Sequence, residues 1–124
     1  MENTKAKKDI LIVEDEQVIG MICHRILARE GFKVTLATDG YLAINLLDKS
    51  KFDVFLIDIK LPGIDGLEVY QYISLKHPSL SPKVIFMTGD TMSRNIPEFV
   101  ATTGCQLLRK PFTINELLAA VNNI

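Results

Sequence analysis

A rhythm of short apolar runs constrains this chain more than any other feature. Ile10-Leu11-Ile12-Val13, Val54-Phe55-Leu56-Ile57 and Val84-Ile85-Phe86-Met87 each have strand length and hold no polar residue. Such runs belong to strands covered on both faces, as in a parallel sheet flanked by helices. Phe32-Lys33-Val34-Thr35-Leu36 alternates apolar with polar and reads as a strand nearer the sheet edge. Leu107-Leu108, after Gly104, is a fifth and weaker candidate.

Helical patterns fill the intervals. Residues 17 to 30 set Val18, Ile22 and Ile26 four apart, with Ile19, Cys23 and Leu27 beside them and Gly31 as the stop. Ala43, Leu46 and Leu47 mark a second helix over 41–48, and Leu67, Tyr70 and Ile73 a third over 66–76 that Pro78 bars from continuing. A fourth is expected over about 96–103 with Asn95 as its cap, after a loop at 89–94. Ile114, Leu117, Leu118 and Val121 give the last helix one apolar stripe.

Strands beginning near 10, 32, 54, 83 and 106 are each about one β-α unit apart, which predicts an α/β domain with a five-stranded, doubly wound parallel sheet. The expected division is a flexible tail at 1–8 and one domain at 9–124. With 14 basic against 15 acidic residues, the chain lacks the basic surface of a nucleic-acid binder. No run approaches the roughly 18 apolar residues of a membrane span, so neither insertion nor direct nucleic-acid binding is expected. Cys23 and Cys105 form no paired motif and read as packing positions in a reducing cytoplasm.

In an open parallel sheet, ligands bind outside the carboxyl ends of the strands. Glu14-Asp15-Glu16 follow the first strand, Asp58 ends the third, Thr88 ends the fourth, and Lys110-Pro111 follow the fifth. Asp9 and Asp53 start strands and fall at the opposite rim. Crowded carboxylates demand protonation or a cation, and Mg²⁺ with its preference for oxygen ligands and phosphate is the natural one. Lys110 and the Thr88 hydroxyl would then complete an electrostatic clamp for a phosphoryl group. Taken singly, Glu14 and Asp15 read equally well as helix-capping acids. Asp58 does not reduce so easily, since an ionisable group closing four apolar residues is costly to desolvate without a role.

Four stretches, in order and correctly spaced, carry a resemblance. They are Ile10-Leu-Ile-Val-Glu-Asp-Glu16, Leu56-Ile-Asp-Ile-Lys-Leu-Pro-Gly-Ile-Asp-Gly66, Val84-Ile-Phe-Met-Thr-Gly89 and Lys110-Pro-Phe112. From about Ile10 to Val121 the chain resembles the receiver domains of two-component response regulators. The resemblance implies a flavodoxin-like fold with strand order 2-1-3-4-5 and Asp58 as phosphoacceptor. It implies Mg²⁺ held by Glu14, Asp15, Asp58 and the Lys60 backbone carbonyl, with Asp15 the more direct of the acidic pair. Thr88 would be the switch hydroxyl and Lys110 the phosphate-binding lysine. The phosphodonor would be a histidine kinase or a histidine phosphotransfer protein. The output would pass to a downstream protein or fused domain through the surface of the fourth helix, fifth strand and fifth helix, from a stand-alone receiver or one cut from a longer regulator or hybrid kinase. Such a domain catalyses only its own phosphorylation and dephosphorylation.

Three positions depart from the family pattern. Glu14 stands for the usual first aspartate, Leu107 for a common Tyr or Phe, and Lys60 puts a long cation two residues past Asp58. An aspartyl-nucleophile phosphatase would want an aspartate where Lys60 stands. A flavin module would want a phosphate loop where Glu14-Asp15-Glu16 would repel one. A receiver that no longer takes phosphate is opposed by the complete set of acids, threonine and lysine.

Overall fold

A computed structural model describes residues 8–89 and 95–124. The strands are β1 (Asp9–Val13), β2 (Lys33–Ala37), β3 (Val54–Asp58), β4 (Val84–Thr88) and β5 (Gln106–Arg109). The helices are α1 (Gln17–Arg29), α2 (Gly40–Lys49), α3 (Gly66–Lys76), α4 (Asn95–Thr103) and α5 (Ile114–Asn122). All strand pairs are parallel and the sheet order is β2-β1-β3-β4-β5, as expected. The chain order reverses direction between β1 and β3, so a crevice opens where Glu14 and Asp58 leave their strands.

Alternation along the central strands divides the core in two. Leu11, Val13, Phe55, Ile57, Val84 and Phe86 face α2, α3 and α4, where they meet Ala43, Leu47, Val69, Ile73, Ile96 and Val100. Ile10, Ile12, Val54, Leu56, Ile85 and Met87 face α1 and α5, meeting Cys23, Leu27, Leu117 and Val121. β3 and β4 are buried over all five residues, whereas β2 at the edge is exposed at Lys33 and Thr35. The contrast between continuous and alternating runs therefore maps onto central and edge position.

Local chemistry sets the helix starts. Asp65 and Glu68 form a reciprocal capping box at α3, and Thr113 and Glu116 form another at α5. The second box is spelled out in Thr113-Ile-Asn-Glu116 and is absent from the expectations above. Asn95 is the first residue of α4 rather than its cap. At α1 the N-cap is Glu16, with no side-chain capping bond, so Glu14 and Asp15 do not serve that helix as caps. A 3-10 turn over Pro78–Lys83 joins α3 to β4. Apart from Lys8, the expected tail lies outside the described residues, as does 90–94 of the expected loop.

One expected stripe is rotated. Val18 and Ile22 are 71% and 53% exposed, and the face of α1 turned to the sheet carries Gly20, Cys23 and Leu27. A β-carbon on Gly20 would stand 3.0 Å from Leu36 Cδ1, so the helix sits close over β2 along its glycine. That approach turns Val18 and Ile22 outward. Ile114 is likewise exposed at the start of α5, while Leu117 and Val121 of its stripe are buried.

Candidate functional site

The three central acids and the lysine meet at the carboxyl rim of the sheet. Glu14, first residue past β1, is completely buried, and its backbone N–H donates to the Ala37 carbonyl at the end of β2 at 3.0 Å. Asp58, last residue of β3, is 4% exposed. Lys110 follows β5, and its backbone N–H donates to the Thr88 carbonyl at 2.8 Å, tying it to the end of β4. From there its Nζ donates to Glu14 Oε1 and to Asp58 Oδ2, both at 2.7 Å, and lies 3.6 Å from Glu16 Oε1. Asp58 Oδ1 accepts from the Lys60 backbone N–H at 3.1 Å, and Glu14 Oε2 from the Glu16 N–H at 3.1 Å. Both carboxylates are thus oriented, each by one amide and one ammonium.

Burial is incompletely offset. Desolvation pushes the Glu14 carboxyl up to about 7, against the hydrogen bond from Lys110, and the neighbouring Asp58 adds to the rise. Burial alone would lower the Lys110 ammonium, but the hydrogen bonds to Asp58 and Glu14 outweigh it and hold it above its ordinary value. Burial also raises the Cys23 thiol to about 11, an unreactive state in keeping with a packing role.

Carboxylate oxygens of Glu14, Glu16 and Asp58 lie within 4.8 Å of one another. Such a set of hard oxygen donors, two of the three buried, fits a divalent cation of the Mg²⁺ kind. Asp15 is exposed and lines a hollow with Ile59, Lys60, Leu61 and Asp65. Glu16 lines a separate cavity of about 440 Å³ with Ile19, Ile22, Cys23, Lys110 and Phe112. The acidic run therefore divides, Asp15 sharing a hollow with Lys60 and Glu16 a cavity with Lys110. Glu16 is the residue that reading by position passed over. Its signal was the unbroken run of three acids, which does not say which one turns inward.

Thr88 is 1% exposed at the end of β4, beside β3, whose Asp58 pairs in register with Met87. Leu107 is half-buried and packs in the cluster that holds Phe86. Asp9 and Asp53 sit at the far rim, where the Asp9 N–H donates to Asp53 Oδ2 at 2.8 Å.

A doubly wound parallel sheet with a buried acidic pocket and a lysine at its carboxyl rim defines the class. The chain belongs to the response regulator receiver domain family, whose model matches residues 10–122. It is 32% identical over 115 residues to the response regulator SaeR of Staphylococcus aureus, covering 93% of this chain and 49% of that protein. It is 32% identical over 119 residues to the transcription factor SKN7 of Candida albicans, covering 94% and 20%. The chain thus spans half or less of these relatives. A receiver domain protein from Methanospirillum hungatei superposes with a TM-score of 0.87 at 28% identity, covering 95% of this chain and 93% of that one. The response regulator TrrA of Thermotoga maritima, solved with Mg²⁺ and BeF, gives 0.82 at 29% identity, covering 94% and 97%. The chain is accordingly a signalling domain of two-component systems, and among its described residues no helix is long and apolar enough to cross a membrane.

Proposed function

We propose that residues 9–124 act as a phosphoacceptor in the cytoplasm, taking a phosphoryl group from a phosphohistidine onto Asp58. The observation that carries this reading is the Lys110 ammonium held 2.7 Å from both Asp58 and Glu14. Asp58 keeps one oxygen on the Lys60 amide and offers the other toward the rim. As the phosphorus–oxygen bond forms, the phosphorus–nitrogen bond of the donor breaks and its electron pair leaves on the imidazole nitrogen. Lys110 neutralises charge on the phosphoryl oxygens. Glu14, Asp15, Asp58 and the Lys60 carbonyl would hold Mg²⁺, with Glu16 a further donor on the Lys110 side, and the bound ion would supply the remaining charge neutralisation. The transferred group adds about 1.5 to 2 negative charges, which draw the Thr88 hydroxyl inward and bias the α4-β5-α5 surface toward a second arrangement. A downstream protein or fused domain reads that surface. Leu107 leaves it without a ring at that position, so backbone and helix shifts carry the signal.

Exposed Ile22 on α1 lines the cavity beside this rim with Lys110 and Phe112, and Val18 is exposed on the same helix. A protein donor must approach over that apolar ground, whereas a small donor need not. Ile22→Glu is expected to slow transfer from a phosphorylated histidine phosphotransfer protein about tenfold while leaving labelling by acetyl phosphate unchanged. Equal slowing of both would remove α1 from the docking surface.

Lys60, two residues past the acceptor, would supply a second cation that screens the aspartyl phosphate from water. Lys60→Ala is expected to shorten the phosphate's lifetime about threefold, read from the decay of labelled protein; an unchanged decay would sink that role. The reading as a whole is tested by incubating the chain with acetyl phosphate and Mg²⁺ and mapping the modified peptide. Modification anywhere other than Asp58 would overturn it.

A further inference from the structure

The segment between Asp58 and α3 is pinned at both ends. The Ile59 N–H donates to the Met87 carbonyl at 2.9 Å, and the Gly66 N–H donates to the Ile59 carbonyl at 2.8 Å. Gly66 lies so close to β3 that a β-carbon there would stand 2.2 Å from the Asp58 carbonyl oxygen. What remains between these pins is 60–65, which carries the Lys60 peptide.

The first turn of α2 braces that excursion from outside. A β-carbon on Gly40 would stand 2.5 Å from Ile64 Cγ1 and 2.7 Å from the Ile64 carbonyl oxygen. One residue further, the Tyr41 ring lies over Gly63, where a β-carbon would meet Cε2 at 2.9 Å. Gly63 has φ +77°, a conformation open to glycine and strained for most residues. Such a residue has other backbone states within easy reach, and the ring standing on it closes them. The brace is itself anchored, because Asp39 caps α2 and accepts from the Leu42 N–H at 2.8 Å. Tyr41 is nonetheless 65% exposed, so its ring adds little to the core.

We propose that Tyr41 is a positioning residue for the acceptor rim, holding 60–65 so that the Lys60 N–H stays on Asp58 Oδ1 and the Lys60 carbonyl keeps its place. The inference deepens the phosphoacceptor reading and rests on it for its importance to phosphorylation. Without the ring, Gly63 samples its alternative states, the Lys60 peptide swings with them, and the Asp58 carboxylate loses an orienting donor. The hydroxyl plays no part in this, so phenylalanine is expected to serve.

Amide hydrogen exchange on the metal-free chain tests the brace directly. In Tyr41→Ala the Lys60 amide is expected to exchange about tenfold faster, with the core amides of Ile57 and Ile85 unchanged and Tyr41→Phe matching the parent. Unchanged Lys60 exchange would overturn the proposal, and so would equal loosening of the core amides, which would make Tyr41 a merely structural residue. In the presence of Mg²⁺, labelling of Asp58 by acetyl phosphate is expected to fall severalfold in Tyr41→Ala and to return in Tyr41→Phe; labelling at the parent's rate in Tyr41→Ala would also overturn it. Failure of the unaltered chain to label at Asp58 would instead defeat the phosphoacceptor reading and leave the exchange result standing.

Discussion

Asp58→Asn is expected to lose labelling by acetyl phosphate to background, a fall of about a thousandfold or more. The amide keeps the shape of the side chain and an oxygen that can still accept from Lys110 or the Lys60 N–H, so the fold should persist. What it lacks is a nucleophilic carboxylate able to form the acyl phosphate. Asp58 is the last residue of a strand buried along its whole length, so no other carboxylate can move into its place. Glu14 beside it is buried and held in place by the Glu16 N–H and the Lys110 ammonium. Intact-mass measurement after donor and Mg²⁺ treatment checks this, and a variant that labels as well as the parent would remove Asp58 from its role.

Lys110→Met is expected to produce the second large effect, in two measurements. Methionine keeps the apolar stem but leaves Glu14 and Asp58 facing each other with no cation between them. Breaking a buried pair by deleting one partner costs about 3 kcal/mol at the lower end of the observed range. For a domain of this size that lowers the melting temperature by about 10 °C in metal-free buffer. Added Mg²⁺ should recover part of the loss, because it restores positive charge among the same oxygens. Labelling by acetyl phosphate should fall about a hundredfold even with the metal present. A variant that melts with the parent and gains nothing from Mg²⁺ would show that the rim tolerates its charges without a cation.

The fold was legible because two independent signals agreed. Val54–Ile57 and Val84–Met87 lack any polar residue and prove to be central, while Lys33 and Thr35 interrupt β2 at the edge. Helix positions were legible and helix rotation less so. Val18, Ile22 and Ile26 make as good a stripe as Ile19, Cys23 and Leu27, and only the close contact of Gly20 with Leu36 decides between them. That contact joins residues sixteen apart and leaves no local mark.

Asp58, Lys110 and Glu14 could be found because topology sends the ends of central strands to one rim whatever the side-chain details. The division between Asp15 and Glu16 could not, because it depends on how the chain turns out of β1 into α1, where no side-chain cap fixes the helix start. Tyr41 lay beyond reach for a related reason. An exposed aromatic on a helix carries no pattern, and its meaning comes from a glycine more than twenty positions away.

The bonds from Lys110 close a distance of 96 residues to Glu14 and 52 to Asp58. On a ribosome, both acids emerge well before their counter-charge does, and domains fold as units once their chain is available. A nascent chain stopped short of Lys110 therefore holds the nucleophile without the clamp. On the proposed phosphoacceptor reading, chemical competence would arrive only when the fifth strand docks, so an unfinished copy would not draw phosphate from the signalling pool.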